Sequence, residues 1–249
     1  RGNGATTLDI FTHNGSLLAR RNFADCSYPT AIAVGDFVKG TGHNGLEIAF
    51  ITIPYVNPTN WIYYLYVLEY STGKVDVIDS AYVCHAMGGI VEGDSLTRIP
   101  YSGLSAADLD NDGNIELIFC MGGFPHSTTI GDSLFVFRIN STSGSLSRVD
   151  QYPVNFMNTT IFGSSPAIAD IDLDGKPDIV MATDDSIYIL KLESGKLSPI
   201  VPIIQFGLVP ANRLNSGYFT PQALVTKRGD SDSTRIFVNH QGDGSIWAF

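Results

Sequence analysis

Two short acidic stretches carry the residues whose types and spacing could do chemistry. In each of them carboxylates stand at positions 1, 3, 5 and 9, and a glycine stands at position 6. Calcium takes six or more oxygen ligands at about 2.3–2.6 Å, which alternating carboxylates on a tightly turned backbone can supply. The pattern therefore predicts two structural calcium sites. The predicted ligands are Asp108, Asp110, Asp112, the carbonyl of Asn114 and Glu116 in the first stretch, and Asp170, Asp172, Asp174, the carbonyl of Lys176 and Asp178 in the second.

An EF-hand shares the first half of this pattern but differs at position 12. A bidentate glutamate belongs there, whereas this chain has Phe119 and Met181. The flanking sequences IELIF and PDIVM favour strands over helices. Each stretch is therefore predicted to be a loop between two strands. An acidic surface turn without metal is the alternative, and the shared glycine at position 6 of two copies argues against it.

The sequence around the second stretch, residues 162–182, reads FGSSPAIADIDLDGKPDIVMA and resembles the FG-GAP and VCBS repeats of β-propellers. Phe162 and Gly163 match the FG of that name. In this family such a loop joins the first two strands of a four-stranded blade. The resemblance implies an all-β propeller fold with structural calcium, and most often a non-enzymatic extracellular module for adhesion, ligand binding or assembly.

A repeated strand pattern supports about four four-stranded blades. Apolar strands start at residues 8, 65, 134, 187 and 246, and a glycine-containing hairpin turn follows the first four of them. We therefore expect one domain over residues 1–249. Its repeats cover approximately residues 1–22, 23–101, 102–163, 164–217 and 218–249, of which the first and the last are partial.

Two other strand–loop–strand segments depart from the metal pattern. In residues 36–47 only Asp36 and Glu47 remain as end ligands, and Lys39 lies between them, which predicts a metal-free loop. In the last repeat, Lys227 and Arg235 stand where the other loops have their first and ninth ligands. Ion pairs with the acidic residues between them, Asp230 and Asp232, are expected to replace the metal there.

Composition and charge limit the kinds of partner and the cellular location that we expect for this chain. The formal net charge of −10 argues against nucleic acid and anionic membrane surfaces. No run of 18 apolar residues exists, so we expect no membrane insertion. An extracellular or cell-surface location is expected, with glycosylation at Asn14, Asn140 and Asn158. In an oxidising compartment Cys26 and Cys84 could pair, whereas Cys120 is predicted to be a buried thiol.

Two function classes stay open. The first is the non-enzymatic extracellular module, with a protein or glycan ligand. The second is the propeller part of a polysaccharide-acting enzyme, because rhamnogalacturonan-type lyases look similar in their calcium-loop propellers. The five histidines form no catalytic motif, and the cationic cluster of Lys227, Arg228 and Arg235 is too small to define an active site. We therefore assign no catalytic residue and expect no enzyme.

The aromatic strand of residues 61–70 could line a groove but is expected to fill the core.

The two ends of the chain show a surplus element. The sequence contains five copies of the third strand of a blade but four copies of the preceding strand pair. We expect either that the chain is a portion of a longer propeller array, or that the hairpin of residues 6–22 supplies strands to a neighbouring copy. Unpaired apolar strand edges favour such addition, and a head-to-tail contact that does not close produces a filament.

Overall fold

The computed structural model describes residues 6–23, 26–40, 42–43, 45–54, 61–86, 103–121, 133–154, 165–183, 186–205, 223–227, 234–239 and 246–248. Over these residues the chain forms eighteen β-strands and no helix, which confirms the all-β prediction. None of the described elements is a helix that could cross a membrane. The strands are β1 (Thr6–Phe11), β2 (Leu17–Phe23), β3 (Cys26–Gly35), β4 (Glu47–Pro54), β5 (Trp61–Ser71), β6 (Lys74–Ala86), β7 (Leu104–Ala107), β8 (Ile115–Met121), β9 (Ser133–Ile139), β10 (Leu146–Pro153), β11 (Ala167–Ala169), β12 (Asp178–Ala182), β13 (Ser186–Glu193), β14 (Lys196–Pro199), β15 (Ile204–Gln205), β16 (Ala223–Lys227), β17 (Thr234–Asn239) and β18 (Ile246–Ala248).

Strands that follow one another in sequence are neighbours in the same sheet. β3 to β6 and β7 to β10 form two four-stranded sheets, and β11 to β14 form a third, to which β15 adds by pairing with β13. β1 and β2 form a two-stranded hairpin, and β16 to β18 form a three-stranded sheet. None of these sheets closes on itself. The repeated four-stranded unit is confirmed, whereas the radial arrangement of a propeller stays a prediction.

The burial of each strand follows its place in the sheet. The third strands β9 and β13 are buried over nearly their whole length, and both read as continuous apolar runs. Strands covered on both faces have this composition. The fourth strand β10 is mostly exposed or half-buried and carries polar residues. The apolar repeat thus marks strands inside the core at β9 and β13, whereas at the chain ends Phe11 of β1 and Ile246 of β18 are exposed.

The chain divides into two compact units. The first contains Arg1–Thr97, His126–Ile130 and Arg138–Ser147, and the second contains Arg98–Pro125, Gly131–Phe137 and Arg148–Phe249. The predicted single domain with the repeat boundaries given above stays a prediction.

In the first unit the hairpin β1–β2 packs against the sheet β3–β6. Ala19 and Phe23 of the hairpin share a core with Phe50 and Leu68. In the second unit, side chains of the sheets β7–β10 and β11–β14 form one core, which includes Ile118, Val136, Met181 and Leu190. A further core joins β12 and β13 to β17. Within each unit, neighbouring sheets therefore bury apolar side chains against each other.

The aromatic strand β5 packs in the core on both faces. Tyr63, Leu65 and Val67 are fully buried, which supports the core interpretation of this strand over a groove. On the other face Tyr66 stacks on Phe50 with ring centroids 5.3 Å apart.

A repeated polar contact ties one fourth strand to the next. It joins a side chain six residues after a hairpin glycine to the backbone two residues after the glycine of the following hairpin. We call this the fourth-strand contact. Its three copies are Arg21 Nη1 to the Val75 carbonyl at 2.6 Å, the Leu146 N–H to Asp79 Oδ2 at 2.7 Å, and the Leu197 N–H to Asp150 Oδ2 at 2.8 Å.

The prediction for the chain ends is not tested by this arrangement. β1 and β2 pair with each other, and β18 pairs with β17. Membership in a longer array and strand exchange between copies both stay predictions.

Candidate metal centre

The first loop, residues 108–116, joins β7 to β8 and brings three carboxylates together. Ligand oxygens of Asp108, Asp110 and Glu116 all lie within 4.8 Å of one another. Glu116 is fully buried, and its Oε2 accepts the N–H of Leu109 at 2.8 Å. Leu109 is itself buried in the core, so it anchors the start of the loop. Three of the five predicted ligands of this loop thus converge.

The second loop, residues 170–178, joins β11 to β12 and repeats this geometry. Oxygens of Asp170, Asp172 and Asp178 lie within 4.8 Å of one another. Asp178 is fully buried, and its Oδ2 accepts the N–H of Ile171 at 2.7 Å. The other oxygen, Oδ1, is buried and has no hydrogen-bond partner. A buried carboxylate oxygen without a donor is costly unless a cation meets it.

The electrostatics of Asp178 agree with this geometry. Burial, and to a lesser extent the neighbouring charge of Asp172, raise the pKa of Asp178, although the hydrogen bond from Ile171 acts in the opposite direction. The protein thus holds a carboxyl group where its charge is poorly solvated. A divalent cation at this position would favour the charged form.

The backbone of both loops is shaped by the carboxylate at position 1. Asp108 accepts the N–H groups of Asp112 and Gly113 at 3.0 and 2.9 Å, and Asp170 accepts the equivalent pair in the second loop at 3.1 and 3.0 Å. The glycines at position 6, Gly113 and Gly175, have φ angles of 87° and 88°. This region strongly favours glycine, which is the physical reason for the glycine that the sequence pattern carries.

The carboxylates at position 5 lie outside the converging groups. Asp112 Oδ1 accepts the backbone N–H of Asn114 at 2.8 Å, and Asp174 Oδ1 accepts that of Lys176 at 2.8 Å. These side chains close a local turn, as aspartate commonly does. The roles of Asp112 and Asp174, and of the carbonyls of Asn114 and Lys176, as ligands stay predictions.

A lysine that the sequence analysis missed lies against the second loop. Lys191 on β13 places its Nζ 2.6 Å from Asp172 Oδ2 and 2.6 Å from Asp174 Oδ2. Its hydrogen bonds to these two carboxylates raise the pKa of Lys191, and the bond from Lys191 lowers the pKa of Asp174. The corresponding position of the neighbouring repeat, on β9, is Arg138. A basic residue directly after the apolar core of a third strand is the signal that could have found it.

The two loops also contact each other. The side-chain amide of Asn111, at position 4 of the first loop, donates to the carbonyl of Gly175 in the second loop at 2.9 Å. Asn111 has a φ of 61°, and Leu173 has a φ of 60° at the same position of the second loop. Asparagine tolerates this conformation better than leucine does, so Asn111 suits both the turn and the contact.

The loop of residues 36–47 keeps one feature of the other two. Glu47 is fully buried, and its Oε2 accepts the N–H groups of Phe37 and Val38 at 2.6 and 3.0 Å. Its Oε1 is buried without a hydrogen-bond partner. Asp36 is exposed, and no three ligand atoms converge among the described residues of this loop. The metal-free interpretation of this loop stays a prediction.

The basic positions of the last repeat are partly described. Lys227 and Arg235 lie on the paired strands β16 and β17, where Thr226 faces Arg235 and Lys227 faces Thr234. Asp230 and Asp232, the predicted ion-pair partners, and Arg228 of the predicted cationic cluster lie outside the described residues.

Two of the three predicted glycosylation sites lie at exposed hairpin turns. Asn14 is an exposed residue of a hairpin turn, and Asn140 is exposed at the turn after β9. Asn140 Oδ1 accepts the N–H groups of Thr142 and Ser143 at 3.0 and 2.9 Å, so this side chain is held by its own turn. Asn158 lies outside the described residues.

The cysteines are described in part. Cys120 is buried, as predicted, and its thiol donates to the Ser133 carbonyl at 3.2 Å. Cys84 is buried on β6. The side chain of Cys26 lies outside the described residues, so its pairing with Cys84 stays a prediction.

Comparison with known families identifies the segment that contains both loops. Residues 108–181 match the sequence model of the FG-GAP-like repeat. This match confirms the resemblance to the FG-GAP repeat family that the acidic spacing indicated. The chain therefore contains an FG-GAP-type repeat segment that starts at the first acidic loop and includes the second. No curated protein sequence matches the chain significantly.

Among solved structures, the chain is similar to a rhamnogalacturonan lyase of Bacillus licheniformis. The two share 16% sequence identity with a TM-score of 0.58, over 99% of this chain and 44% of the lyase chain. A putative 6-phosphogluconolactonase of Bacteroides fragilis NCTC 9343 shares 11% identity over 99% of this chain and 94% of that chain, with a TM-score of 0.25. The chain thus spans less than half of the lyase, and the likeness to the lyase concerns the fold alone.

Proposed function

We propose that this chain is a non-enzymatic, calcium-stabilised β-propeller module that works outside the cell. Its role is adhesion, binding of a protein or glycan ligand, or assembly into a larger structure. The observation that carries the proposal is the buried oxygen of Asp178 that has no hydrogen-bond partner, in a carboxylate that converges with those of Asp170 and Asp172. An internal acidic site of this kind, repeated in two loops, stabilises a fold once a cation joins it.

Two calcium ions suit the described donors. Asp108, Asp110 and Glu116 would hold one ion, and Asp170, Asp172 and Asp178 would hold the other. Carboxylate oxygens are the donors that calcium prefers, and backbone carbonyls of a tight turn complete such a shell. Bound calcium supplies two positive charges to each group of three carboxylates. The ions are expected to be structural, because all the ligands proposed for each ion belong to one short loop.

The propeller arrangement is supported by repetition along the chain. The four-stranded unit recurs, and each fourth-strand contact joins equivalent positions of consecutive repeats. A constant relation between consecutive sheets is what a radial or solenoid repeat requires. The exposed Asn14 and Asn140 sequons fit an extracellular location, where calcium reaches the millimolar range that modules of this kind need.

Calcium-dependent stability tests the metal part of this proposal. Calcium at ten times its Kd would stabilise the native state by about 1.4 kcal/mol per site. We expect chelation to lower the melting temperature, and we expect the double variant Asp110→Asn/Asp170→Asn to lose most of this response. Asp76→Asn is the matched control, because Asp76 is half-exposed and pairs with Lys74. A melting curve that calcium and chelator leave unmoved in the parent protein would contradict the metal assignment.

The fold likeness to the lyase favours a second candidate, the propeller part of a polysaccharide-acting enzyme. A glycan array together with a uronide-release assay separates the two classes. Binding of a glycan without release of unsaturated uronide supports the binding module. Release that disappears when the preparation is inactivated would support the enzyme instead.

A further inference from the structure

Lys191 of β13 lies against the second loop in a position that the calcium ligands do not explain. Its side chain is 13% exposed, and its Nζ lies 2.6 Å from both Asp172 and Asp174. Glu193, at 3.8 Å, is a more distant partner. The ammonium group thus bridges the carboxylates at positions 3 and 5 of the loop.

The bridge occupies oxygens of both carboxylates that a metal could otherwise use. Asp174 uses Oδ1 for the N–H of Lys176 and Oδ2 for Lys191, so both of its oxygens have protein donors. Asp172 likewise gives its Oδ2 to Lys191. The ammonium group of Lys191 therefore neutralises the carboxylates at positions 3 and 5 of the loop, as a metal ion would.

The inner side of the loop is left without compensation. Asp178 Oδ1 is buried without a hydrogen-bond partner, and its carboxylate lies with Asp170 and Asp172 in the converging group. Lys191 therefore satisfies one half of the loop, and the other half still lacks a positive charge. Asp172 belongs to both halves.

We propose that Lys191 is the internal counter-ion of the second loop and that calcium competes with it for the loop carboxylates. Lys191 therefore sets the calcium affinity of this site. The inference rests on the calcium sites of the proposed function. A positive charge beside a bound cation opposes that cation, and the carboxylate of Asp172 would be shared between the lysine and the metal. Without calcium, the same lysine reduces the repulsion among the carboxylates.

These two effects have opposite signs when the lysine is removed. Loss of the charge strengthens calcium binding, because the opposing charge is gone and two carboxylates become available. The same loss destabilises the calcium-free protein. A lysine that merely supports the local structure would weaken calcium binding when removed, so the pair of measurements separates the two roles.

The test is a calcium titration by calorimetry in a background in which Asp108→Asn and Asp110→Asn disable the first loop. Lys191→Met is expected to bind calcium about tenfold more tightly than the background protein. Its melting temperature in chelator is expected to fall. Lys191→Gln is a second variant, which removes the charge but keeps a hydrogen-bonding side chain. Lys191→Arg keeps the charge and should bind calcium with the affinity of the background protein.

Lys196→Met provides the matched control. It removes the same charge from β14, where Lys196 is 77% exposed and pairs with Asp150 rather than with a loop carboxylate. Its calcium affinity should stay within about twofold of the background, because an exposed charge is screened.

Each outcome decides between the inference and the function on which it rests. Calcium uptake by the background with equal or weaker affinity in Lys191→Met and Lys191→Gln overturns the counter-ion role alone. An equal gain in Lys196→Met also overturns it, because total charge would then be the cause. No calcium uptake by the background or by any variant overturns the calcium site of the second loop, and this inference with it.

Discussion

The loop of residues 36–47 and the second loop, residues 170–178, end on the same hydrogen bond but differ in the residues between their first and last carboxylates. In both, a fully buried carboxylate accepts the backbone N–H that follows the first acidic residue, through Glu47 in one case and Asp178 in the other. The second loop gathers two further carboxylates around its closing residue. In the longer loop, the first acidic residue, Asp36, is exposed and Lys39 lies inside the sequence.

This difference separates two roles of the carboxylates, closing the turn and binding a metal, which the sequence pattern combines. The closing carboxylate belongs to the strand–loop–strand turn itself, because it is kept where the acidic spacing is lost. The residues at positions 1 and 3 distinguish a loop that could hold calcium from one that only turns. A buried carboxylate in such a loop is therefore weak evidence for metal unless the first two carboxylates converge on it.

The largest effect is expected for Glu47→Ala. It would leave the N–H groups of Phe37 and Val38 buried without an acceptor, at a cost of about 3 kcal/mol in the free energy of unfolding. We expect the same loss in calcium and in chelator, measured by urea denaturation. A loss that appears in calcium alone would break the comparison, since it would make Glu47 a metal ligand. Glu47→Gln, which keeps one acceptor, should lose less.

A smaller effect is expected for Asp170→Asn. The substitution keeps an oxygen for the turn but weakens the converging group, so the calcium-dependent part of the stability should fall by about 1 kcal/mol. Asp36→Asn changes the equivalent position of the longer loop and should leave the calcium response unchanged. Denaturation of both variants with and without chelator makes the check, and equal calcium responses in the two variants would contradict it.

Acid should act on the contact between consecutive sheets and not only on the loops. Burial opposes the ionisation of Asp150, but hydrogen bonds from the Leu197 N–H and from Lys196 outweigh it, so the pKa of Asp150 lies below its ordinary value. The native state then binds fewer protons than the unfolded state. Its contribution is present above about pH 4 and is lost as pH falls through the lowered pKa. Asp150→Asn should flatten this part of the stability curve in calcium and in chelator alike, and an unchanged slope would contradict the assignment.

The smallest effect concerns the contact between the two acidic loops. Asn111→Gly keeps a residue that tolerates positive φ but removes the hydrogen bond to Gly175, at a cost of about 0.5–1 kcal/mol. Calcium binding to the two loops should then become more independent, which a titration detects as a less steep curve. Leu173→Gly, at the equivalent position of the second loop, is the control and should keep the steepness of the parent.

The sequence predicts the parts of the site that depend on neighbours along the chain. The spacing identified the closing residues Glu116 and Asp178 and the glycines at positive φ, Gly113 and Gly175, because a loop of nine residues builds these from its own backbone. Periodicity identified the buried third strands for the same reason. The acidic spacing did not reveal that the position 5 carboxylates cap backbone N–H groups, because capping an N–H and binding a metal need the same residue type.

The sequence did not predict the contacts between segments that are distant along the chain. Lys191 meets Asp172 across 19 positions, and Asn111 meets Gly175 across 64. Spacing along the chain predicts neither contact, because the strand register and the packing of consecutive sheets decide which side chains meet. The basic residue after the apolar run of the third strand is a local signal for Lys191, but it does not identify the partner. The Asp79 and Asp150 contacts were missed on the same ground, although their equal offset from the hairpin glycine is visible once the sheets are aligned.

The fourth-strand contacts also determine how the molecule would respond to mechanical force. Each contact links one repeat to the next, so the contacts are arranged in series, as in a chain whose links share a load. A pull along the sequence would open one link at a time, and the rupture of one would leave its neighbours loaded but intact. The Arg21 contact reverses the direction of donation found at Asp79 and Asp150, which makes it the link of different chemistry in the series. A stretching experiment on single molecules would then record a stepwise extension, with one yielding event for each of the three contacts.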